Sequence, residues 1–174
     1  MMQPTFSSSR ILLPVRPWFI VASLFAALLA NFLPTAHWPG IPDWIALVLC
    51  FWCIREPRRV GMGWAFFLGL AMDVADGAVL GQHCFAYVLL AYFAAGQARR
   101  ILWFPLGQQA LQIFPLLLAC QVIQLLMRLS TGADFPGWGY LIGPLSATLL
   151  WLPATFLLLL PQYQPVERDA NRPL

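Results

Sequence analysis

Two adjacent stretches decide the fold: the apolar run PDWIALVLCFWCI at residues 42–54 and the arginine-rich turn REPRR at residues 55–59. The run predicts a short helix that crosses a membrane. Pro57 cannot continue a helix and disfavours helical angles at Glu56, so we expect the helix to end at this turn. The three arginines of the turn are then expected to face the anionic leaflet of the bilayer.

The same succession of apolar runs and arginine clusters predicts five further spans. Segments of 38, 39 and 67 residues lie between the clusters, at positions 17–54, 60–98 and 101–167, and the third contains Arg128 alone. A spanning helix needs roughly 20 residues, so each of the first two segments holds one out-and-back hairpin and the third holds two long spans. We predict six transmembrane helices in three hairpins, at residues 17–34, 42–54, 60–76, 82–98, 104–127 and 138–160.

The composition of the whole chain also indicates a membrane protein. Of its 174 residues, 60% are apolar and 10% are charged, whereas soluble domains have about 45–50% and about 25%. The mean hydropathy is +0.73. This composition excludes an ordinary soluble domain, a disordered chain, a nucleic-acid-binding protein with a basic face and a disulfide scaffold. The runs lack the alternation of barrel strands, so the predicted fold class is all-α and polytopic.

The predicted topology divides the chain into a bundle and two tails. Residues 17–160 form the six-helix bundle, and residues 1–16 and 161–174 are short polar tails, with no soluble domain on either side. An even number of spans puts nine of the ten arginines on one face and leaves Arg128 opposite. The positive-inside rule makes that face, and both tails, cytoplasmic. We expect membrane lipids and partner proteins to meet the arginines of the inner turns: Arg55, Arg58, Arg59, Arg99 and Arg100.

Asp73 is the most informative single residue. It follows Arg59 by 14 positions, which at 1.5 Å per helical residue places it about 21 Å into a core about 30 Å thick. A lipid-exposed aspartate there costs about 2.5–3.5 kcal/mol, so we expect a partner from Gln82, His83 or Arg128. Asp73 is interpreted as a polar joint between helices or as a ligand- or proton-binding group. The helix is expected to end at Asp76.

Small and amide side chains give two further candidate sets. Gly61, Gly63 and Gly69 give the third span a small-residue face that permits close approach of another helix. The fifth span carries glutamines at helical spacings, for which interhelical hydrogen bonding is the expected role. The glutamines are Gln108, Gln109, Gln112, Gln121 and Gln124, and the first three are singled out as candidate sites.

No set of residues in the sequence indicates catalysis or a cofactor. Cys50 and Cys53 have a CxxC spacing, but no βαβ pattern surrounds them. There is no HExxH zinc motif, and no serine lies in a GxSxG elbow. We therefore predict no metal, no cofactor and no enzymatic activity.

Taken in order, several short motifs resemble one family, the rod-shape-determining protein MreD. No single motif is specific, and their order and spacing carry the resemblance, which covers about residues 17–160. The motifs are Pro42-Asp43-Trp44, Phe51-Trp52, Pro57-Arg58-Arg59-Val60-Gly61, Gly63, Phe67, Gly69, Asp73, Asp76-Gly77, Leu80-Gly81-Gln82-His83, Ala91-Tyr92, Gln108-Gln109 and Leu150-Trp151-Leu152-Pro153.

The resemblance implies a non-enzymatic subunit of the cell-elongation machinery in the bacterial inner membrane. Its implied partners are the single-span protein MreC and, with it, RodA, the penicillin-binding partner of RodA and MreB filaments. The family is also similar in fold to the substrate-binding subunits of energy-coupling-factor vitamin transporters. A small-molecule-binding subunit of such a transporter is therefore the alternative function, and it would require an outward-open pocket. No nucleic acid is implied.

Overall fold

The computed structural model describes residues 15–32, 40–77 and 80–162, and these form six α-helices without any strand. The predicted tails, apart from two residues of each, and most of the loop at residues 34–42 lie outside the described residues. The helices are α1 (Pro17–Asn31), α2 (Trp44–Arg55), α3 (Met62–Ala75), α4 (Gln82–Leu102), α5 (Leu106–Ser130) and α6 (Gly143–Leu159). Short 3-10 helices, Trp138–Ile142 and Leu160–Gln162, flank α6.

Each predicted run corresponds to one of these helices, but several ends differ. Helix α5 continues to Ser130, past the predicted end at residue 127, so Arg128 lies in its last turn. Helix α4 continues to Leu102, so Arg99 and Arg100 lie in its last turn and not beyond it. Cations in a last turn are favourable, because they oppose the negative end of the helix dipole. The last predicted span begins with a 3-10 helix before α6. The end of α3 is as predicted: Asp76 follows its last residue and Gly77 turns the chain with a φ of 59°.

Helix α2 is the centre of the bundle. Ten consecutive residues, 45–54, are buried, and α2 packs against α1, α4, α5 and α6. The sequence of α2 is apolar on all sides of the helix, and a helix of this kind is typically buried on all sides. Its 12 residues give a length of about 18 Å, shorter than a bilayer core of about 30 Å. The surrounding helices therefore cover a segment too short to span the bilayer core by itself.

The predicted hairpin partners pack together. Helices α1 and α2, α3 and α4, and α5 and α6 are each in contact, and α4 also packs against α2 and α5. The indole nitrogen of Trp52 donates a 2.8 Å hydrogen bond to the Ser23 hydroxyl across α1 and α2. The rings of Phe51 and Trp151 pack with their centroids 5.7 Å apart across α2 and α6.

The two ends of the bundle differ in their polar residues. The arginine end contains Arg16, Arg55, Arg58, Arg59, Arg99 and Arg100, and there an Arg59 Nη1 donates a 2.6 Å hydrogen bond to the Val15 carbonyl. The opposite end contains Asp43 and Asp73, and we call it the aspartate end. Two hydrogen-bonded clusters lie there, one around each carboxylate.

Candidate functional site

Asp73 lies in the last full turn of α3 and is 1% exposed. Its carboxylate accepts hydrogen bonds from the start of α4. Oδ1 accepts from the His83 backbone N–H at 2.7 Å and contacts His83 Nδ1 at 2.9 Å. Oδ2 accepts from the Gly81 N–H at 2.8 Å and from the Cys84 N–H at 3.5 Å. His83, one of the three predicted partners, is therefore confirmed.

These contacts make Asp73 the N-terminal cap of a helix to which it does not belong. The residue at the N-cap position of α4 is Gly81, which has no side chain to accept a bond and has a φ of 107°, a conformation that favours glycine. The first N–H groups of a helix lack partners within it and carry partial positive charge. A carboxylate from α3 therefore accepts hydrogen bonds from the first N–H groups of α4 and fixes where α4 begins.

Gly69, one turn before Asp73, permits this arrangement. A Cβ atom at Gly69 would lie 2.5 Å from the Cys84 Cα and 2.8 Å from the His83 carbonyl carbon. Backbone atoms at those distances cannot yield without moving the helix. The predicted close approach of another helix to the small-residue face of α3 is therefore confirmed at Gly69.

His83 also lies near a second carboxylate. Its Nε2 is 3.8 Å from Asp76 Oδ2, while Nδ1 contacts Asp73. The imidazole thus bridges the end of α3 and the turn that follows it. The other two predicted partners do not take part: Arg128 lies exposed in the last turn of α5, and Asp73 accepts no bond from the Gln82 side chain among the described residues.

Asp43 forms the second cluster, which is not among the candidate sites predicted from the sequence. Asp43 precedes α2 and caps it through the Ala46 N–H at 3.0 Å. The same Oδ1 accepts a 3.1 Å bond from the Asn31 amide of α1. Oδ2 accepts a 2.7 Å bond from the Tyr87 hydroxyl of α4 and a 3.3 Å bond from the Gln124 amide of α5. One carboxylate therefore joins four helices.

The cluster extends to the segment before α6. The Tyr140 hydroxyl donates a 3.0 Å bond to Gln124 Oε1, and Gln121 Nε2 donates a 2.7 Å bond to the Tyr140 carbonyl. Asp43, Gln121 and Gln124 also line a cavity of about 10 Å³, which is room for about one water molecule. No basic side chain in the described ranges forms an ion pair with Asp43.

One signal in the sequence could have identified Asp43. It lies inside the predicted second span, immediately before a run that starts with Trp44, and aspartate is among the preferred residues at a helix N-cap. That signal predicts only the bond to Ala46. The other three donors come from residues 12, 44 and 81 positions away, and periodicity does not indicate such pairs.

The glutamines chosen as candidate sites are not those that join separate helical segments. Gln108 is exposed and Gln112 is half-buried, while Gln109 is buried and donates a 2.8 Å bond to the nearby Phe104 carbonyl. Interhelical bonding is found instead at Gln121 and Gln124. Helical spacing correctly shows which glutamines share a face, but it does not show which face meets another helix.

Two of the three candidate glycines do not approach another helix. Gly61 is the N-cap of α3, and a Cβ there would meet only the Pro57 carbonyl, at 3.9 Å. Gly63 is exposed, and a Cβ there would meet nothing within 4 Å. The small-residue face therefore makes no close approach to another helix of this chain at Gly63, and its contact with the helix of a partner protein stays a prediction.

The candidate arginines fall into two groups. Arg59 bonds to the Val15 carbonyl and lies 3.8 Å from Glu56, and the guanidinium of Arg55 lies 5.6 Å from the centre of the Phe51 ring. These two contribute to contacts within the bundle. Arg58, Arg99 and Arg100 are exposed, and none of them contacts an acidic group in the part of the chain that the structure describes.

The chemistry available at the aspartate end is that of hydrogen bonding. Over residues 15–32, 40–77 and 80–162, no three His, Cys, Asp or Glu side chains are grouped to hold a metal. The four cysteines are buried free thiols. Both clusters consist of a carboxylate satisfied by N–H and O–H donors from other helices, an arrangement that fixes helix positions.

Within residues 15–32, 40–77 and 80–162, two helical segments are long and apolar enough to cross a membrane: Leu106–Ser130 and Trp138–Gln162. Three apolar helices are shorter: Pro17–Asn31, Trp44–Arg55 and Met62–Ala75.

Comparison with known proteins identifies relatives of the whole bundle. The family model of the rod shape-determining protein MreD matches residues 10–160. The rod shape-determining protein MreD of Haemophilus influenzae is 31% identical over 147 residues, which cover 82% of this chain and 89% of that protein. No solved structure matches the chain significantly.

Proposed function

This chain belongs to the MreD family of rod shape-determining proteins, and from that premise we propose that it is a non-catalytic scaffold subunit of the cell-elongation complex. It crosses the bacterial inner membrane six times, in three hairpins, with both termini in the cytoplasm. The observation that carries this proposal is the family match over residues 10–160, which includes all six helices.

The surface of the bundle supports a membrane location. Large apolar side chains are exposed along α1 at helical spacing, at Trp18, Val21, Phe25 and Leu29. The outward faces of α4 and α6 are similar, with Phe93 and Leu149 among the exposed residues. Apolar surface of this extent is typical of contact with lipid or with other membrane proteins.

The arrangement of charges supports the proposed orientation. The arginine end contains the turn between α2 and α3 and the last turn of α4, and the positive-inside rule assigns such an end to the cytoplasm. The short helices α1, α2 and α3 fit a spanning bundle if their ends are covered by protein or lie at the interface. Buried backbone polar groups near those ends have protein partners, as at Asp43 and Asp73.

As partners we propose an MreC-like single-span protein and, through it, RodA, its penicillin-binding partner and MreB filaments. The bundle would meet them through lipid-facing helix surfaces and through the exposed arginines Arg58, Arg99 and Arg100. The similarity to substrate-binding subunits of energy-coupling-factor transporters remains a prediction about fold. The transporter function would need an outward-open pocket, whereas the cavity that the described residues form at the aspartate end is about 10 Å³, against about 300–1,000 Å³ for a small-molecule site.

The proposal is tested by replacement in a rod-shaped bacterium depleted of its own MreD-family protein. We expect depleted cells to become round and cells expressing this chain to remain rods, as measured by cell width and by the pattern of wall insertion. Cells that stay rod-shaped without any MreD-family protein would contradict the proposed role. Protein abundance must be measured in parallel, because loss of the protein and loss of its function give the same shape.

The proposed partners are tested by purification of the chain in a mild detergent, followed by identification of bound proteins. A single-span protein with a periplasmic domain is the expected partner. Purification with an ATPase module instead would contradict the scaffold role and favour the transporter.

A further inference from the structure

A groove between α3 and α4 opens at the arginine end of the bundle. Its volume is about 510 Å³, within the range of about 300–1,000 Å³ that is typical of ligand sites. Gly61 and Met62 of the α3 side and Ala95 and Gly96 of α4 line it, and Pro57 and Gln97 lie where it meets the arginine-rich turns. The lining residues of α4 include the small residues Ala91, Ala95 and Gly96 beside Tyr92 and Phe93, and a Cβ at Gly96 would meet no atom within 4 Å.

Two exposed arginines lie close in sequence to residues that line this groove, although neither is itself a lining residue. Arg58 lies directly between Pro57 and Gly61 in the turn before α3. Arg100 follows Gly96 by four residues on α4 and therefore lies on the same helix face, one turn nearer the end. Neither forms an ion pair with an acidic side chain in the described ranges. Arg59, by contrast, is held by Val15 and Glu56.

We propose that the groove binds one acyl chain of an anionic phospholipid, whose phosphate is held by Arg58 and Arg100. A largely apolar groove with two cations near one end is complementary to a molecule with a hydrocarbon chain and an anionic head. Basic pockets between transmembrane helices on the cytoplasmic side have this complementarity for anionic headgroups. The inference rests on the membrane orientation of the proposed function, and it adds a ligand site which that function does not require.

The charge requirement is tested by native mass spectrometry of the full chain in detergent, titrated with phosphatidylglycerol or phosphatidylcholine. We expect phosphatidylglycerol to be retained preferentially. The single variants Arg58→Gln and Arg100→Gln should each weaken its retention about fivefold, because an arginine near an anionic headgroup contributes roughly that factor. Arg128→Gln, a matched loss of charge at the other end, should change nothing. Equal retention of both lipids, or equal effects of all three variants, would overturn the proposal.

The groove requirement is tested by filling it. Gly96→Leu places a side chain in open space, so it should block the acyl chain without displacing a helix. Gly107→Leu is the matched control, since Gly107 is also an exposed glycine whose Cβ would meet nothing within 4 Å and it does not line the groove. We expect Gly96→Leu alone to abolish the preference for phosphatidylglycerol, with the melting temperature of the protein unchanged.

Two further outcomes distinguish a lipid from other occupants. Glycerol 3-phosphate, which has the anion but no chain, should not displace the bound phosphatidylglycerol, and displacement would overturn the role of the groove. If Gly96→Leu leaves lipid binding intact but removes a membrane protein that copurifies with the wild-type chain, the groove receives a partner helix and the proposal is wrong. These outcomes are independent of cell shape, so they separate failure of the lipid site from failure of the scaffold function.

Discussion

Asp73 and Asp43, the two carboxylates at the aspartate end, accept similar hydrogen bonds. They differ in how far along the sequence their donors lie. Asp73 takes its donors from residues 81–84, which directly follow its own helix in the chain. Asp43 takes donors from Asn31, Tyr87 and Gln124, on three helices. Asp73 therefore closes one hairpin, whereas Asp43 joins hairpins to one another.

This difference determines which hydrogen-bond donors are left without an acceptor when a carboxylate is removed. The partners of Asp73 are mostly the first N–H groups of α4, on the half-buried Gly81 and on the buried His83 and Cys84, and all of them belong to one helix start. The side-chain partners of Asp43 are enclosed, with Asn31 at 9%, Tyr87 at 0% and Gln124 at 4% exposure. An unsatisfied buried donor costs about 1–3 kcal/mol. Because loss of Asp43 leaves side-chain donors on three helices without their acceptor and also removes the cap of α2, we expect stability to depend more on Asp43 than on Asp73, although Asp43 itself is only half-buried.

Asp43→Ala is expected to have the largest effect. It leaves the donors of Asn31, Tyr87 and Gln124 without their acceptor and removes the cap of α2, which should lower the free energy of unfolding by about 3 kcal/mol. The measurement is reversible unfolding in detergent micelles, followed by the combined fluorescence of the eight tryptophans of the chain. Asp134→Ala, which removes an exposed carboxylate, is the control. If the two variants were equally stable, Asp43 would not join the helices.

Gly69→Ala is expected to have the next largest effect. Its Cβ would lie 2.5 Å from the Cys84 Cα, so α4 must shift away from α3, at a cost of about 2 kcal/mol. Gly63→Ala is the matched control on the same helix. Because a Cβ at Gly63 meets nothing within 4 Å, that substitution should stabilise the protein by about 0.5 kcal/mol. Effects of the same sign and size would show that α4 does not pack on Gly69.

The positions of the helices could be predicted from the sequence because two strong local patterns agree. Apolar runs of helix length alternate with arginine clusters and prolines, and each predicted run corresponds to one helix. Asp73 was identified for the same local reason: its distance from Arg59 gives its depth, and His83 follows it closely enough for a tight turn to bring the two together. Charge and length along the chain are sufficient for these conclusions.

The Asp43 cluster could not be predicted because its geometry depends on how the hairpins pack. Gln124 lies 81 residues from Asp43 in sequence, and nothing local distinguishes it from Gln112 on the same helix. The glycines show the same limit. Gly63 and Gly69 both fit a small-residue pattern, but only Gly69 faces α4. Which face of a helix meets a neighbour is decided by the packing of the bundle, not by spacing.

Asp73→Ala is expected to have a smaller effect than either variant above, a loss of about 1 kcal/mol, which is typical for removal of a helix cap. Hydrogen exchange should increase at residues 81–84 and remain unchanged in α2. In cells, Asp73→Asn separates the two interpretations of this residue. If rod shape is supported while stability falls modestly, Asp73 is a structural joint. If shape is lost at normal protein abundance, a ligand- or proton-binding role is favoured.

Gln124→Leu should have the smallest effect, and it tests whether the Asp43 cluster acts as one unit. Hydrogen bonds between helices in membranes contribute about 0.6 kcal/mol on average, so we expect Gln124→Leu to lower the free energy of unfolding by about that amount per bond lost. Gln108→Leu, at an exposed position, is the control and should leave the free energy of unfolding unchanged. A double-mutant cycle with Tyr140→Phe measures the Gln124 to Tyr140 bond directly, and we expect coupling of about that size. Zero coupling would mean that the cluster ends at Gln124. The segment before α6 would then be positioned by packing and by the bond from Gln121 to the Tyr140 carbonyl, and Asp43 would join four helices without influencing that segment.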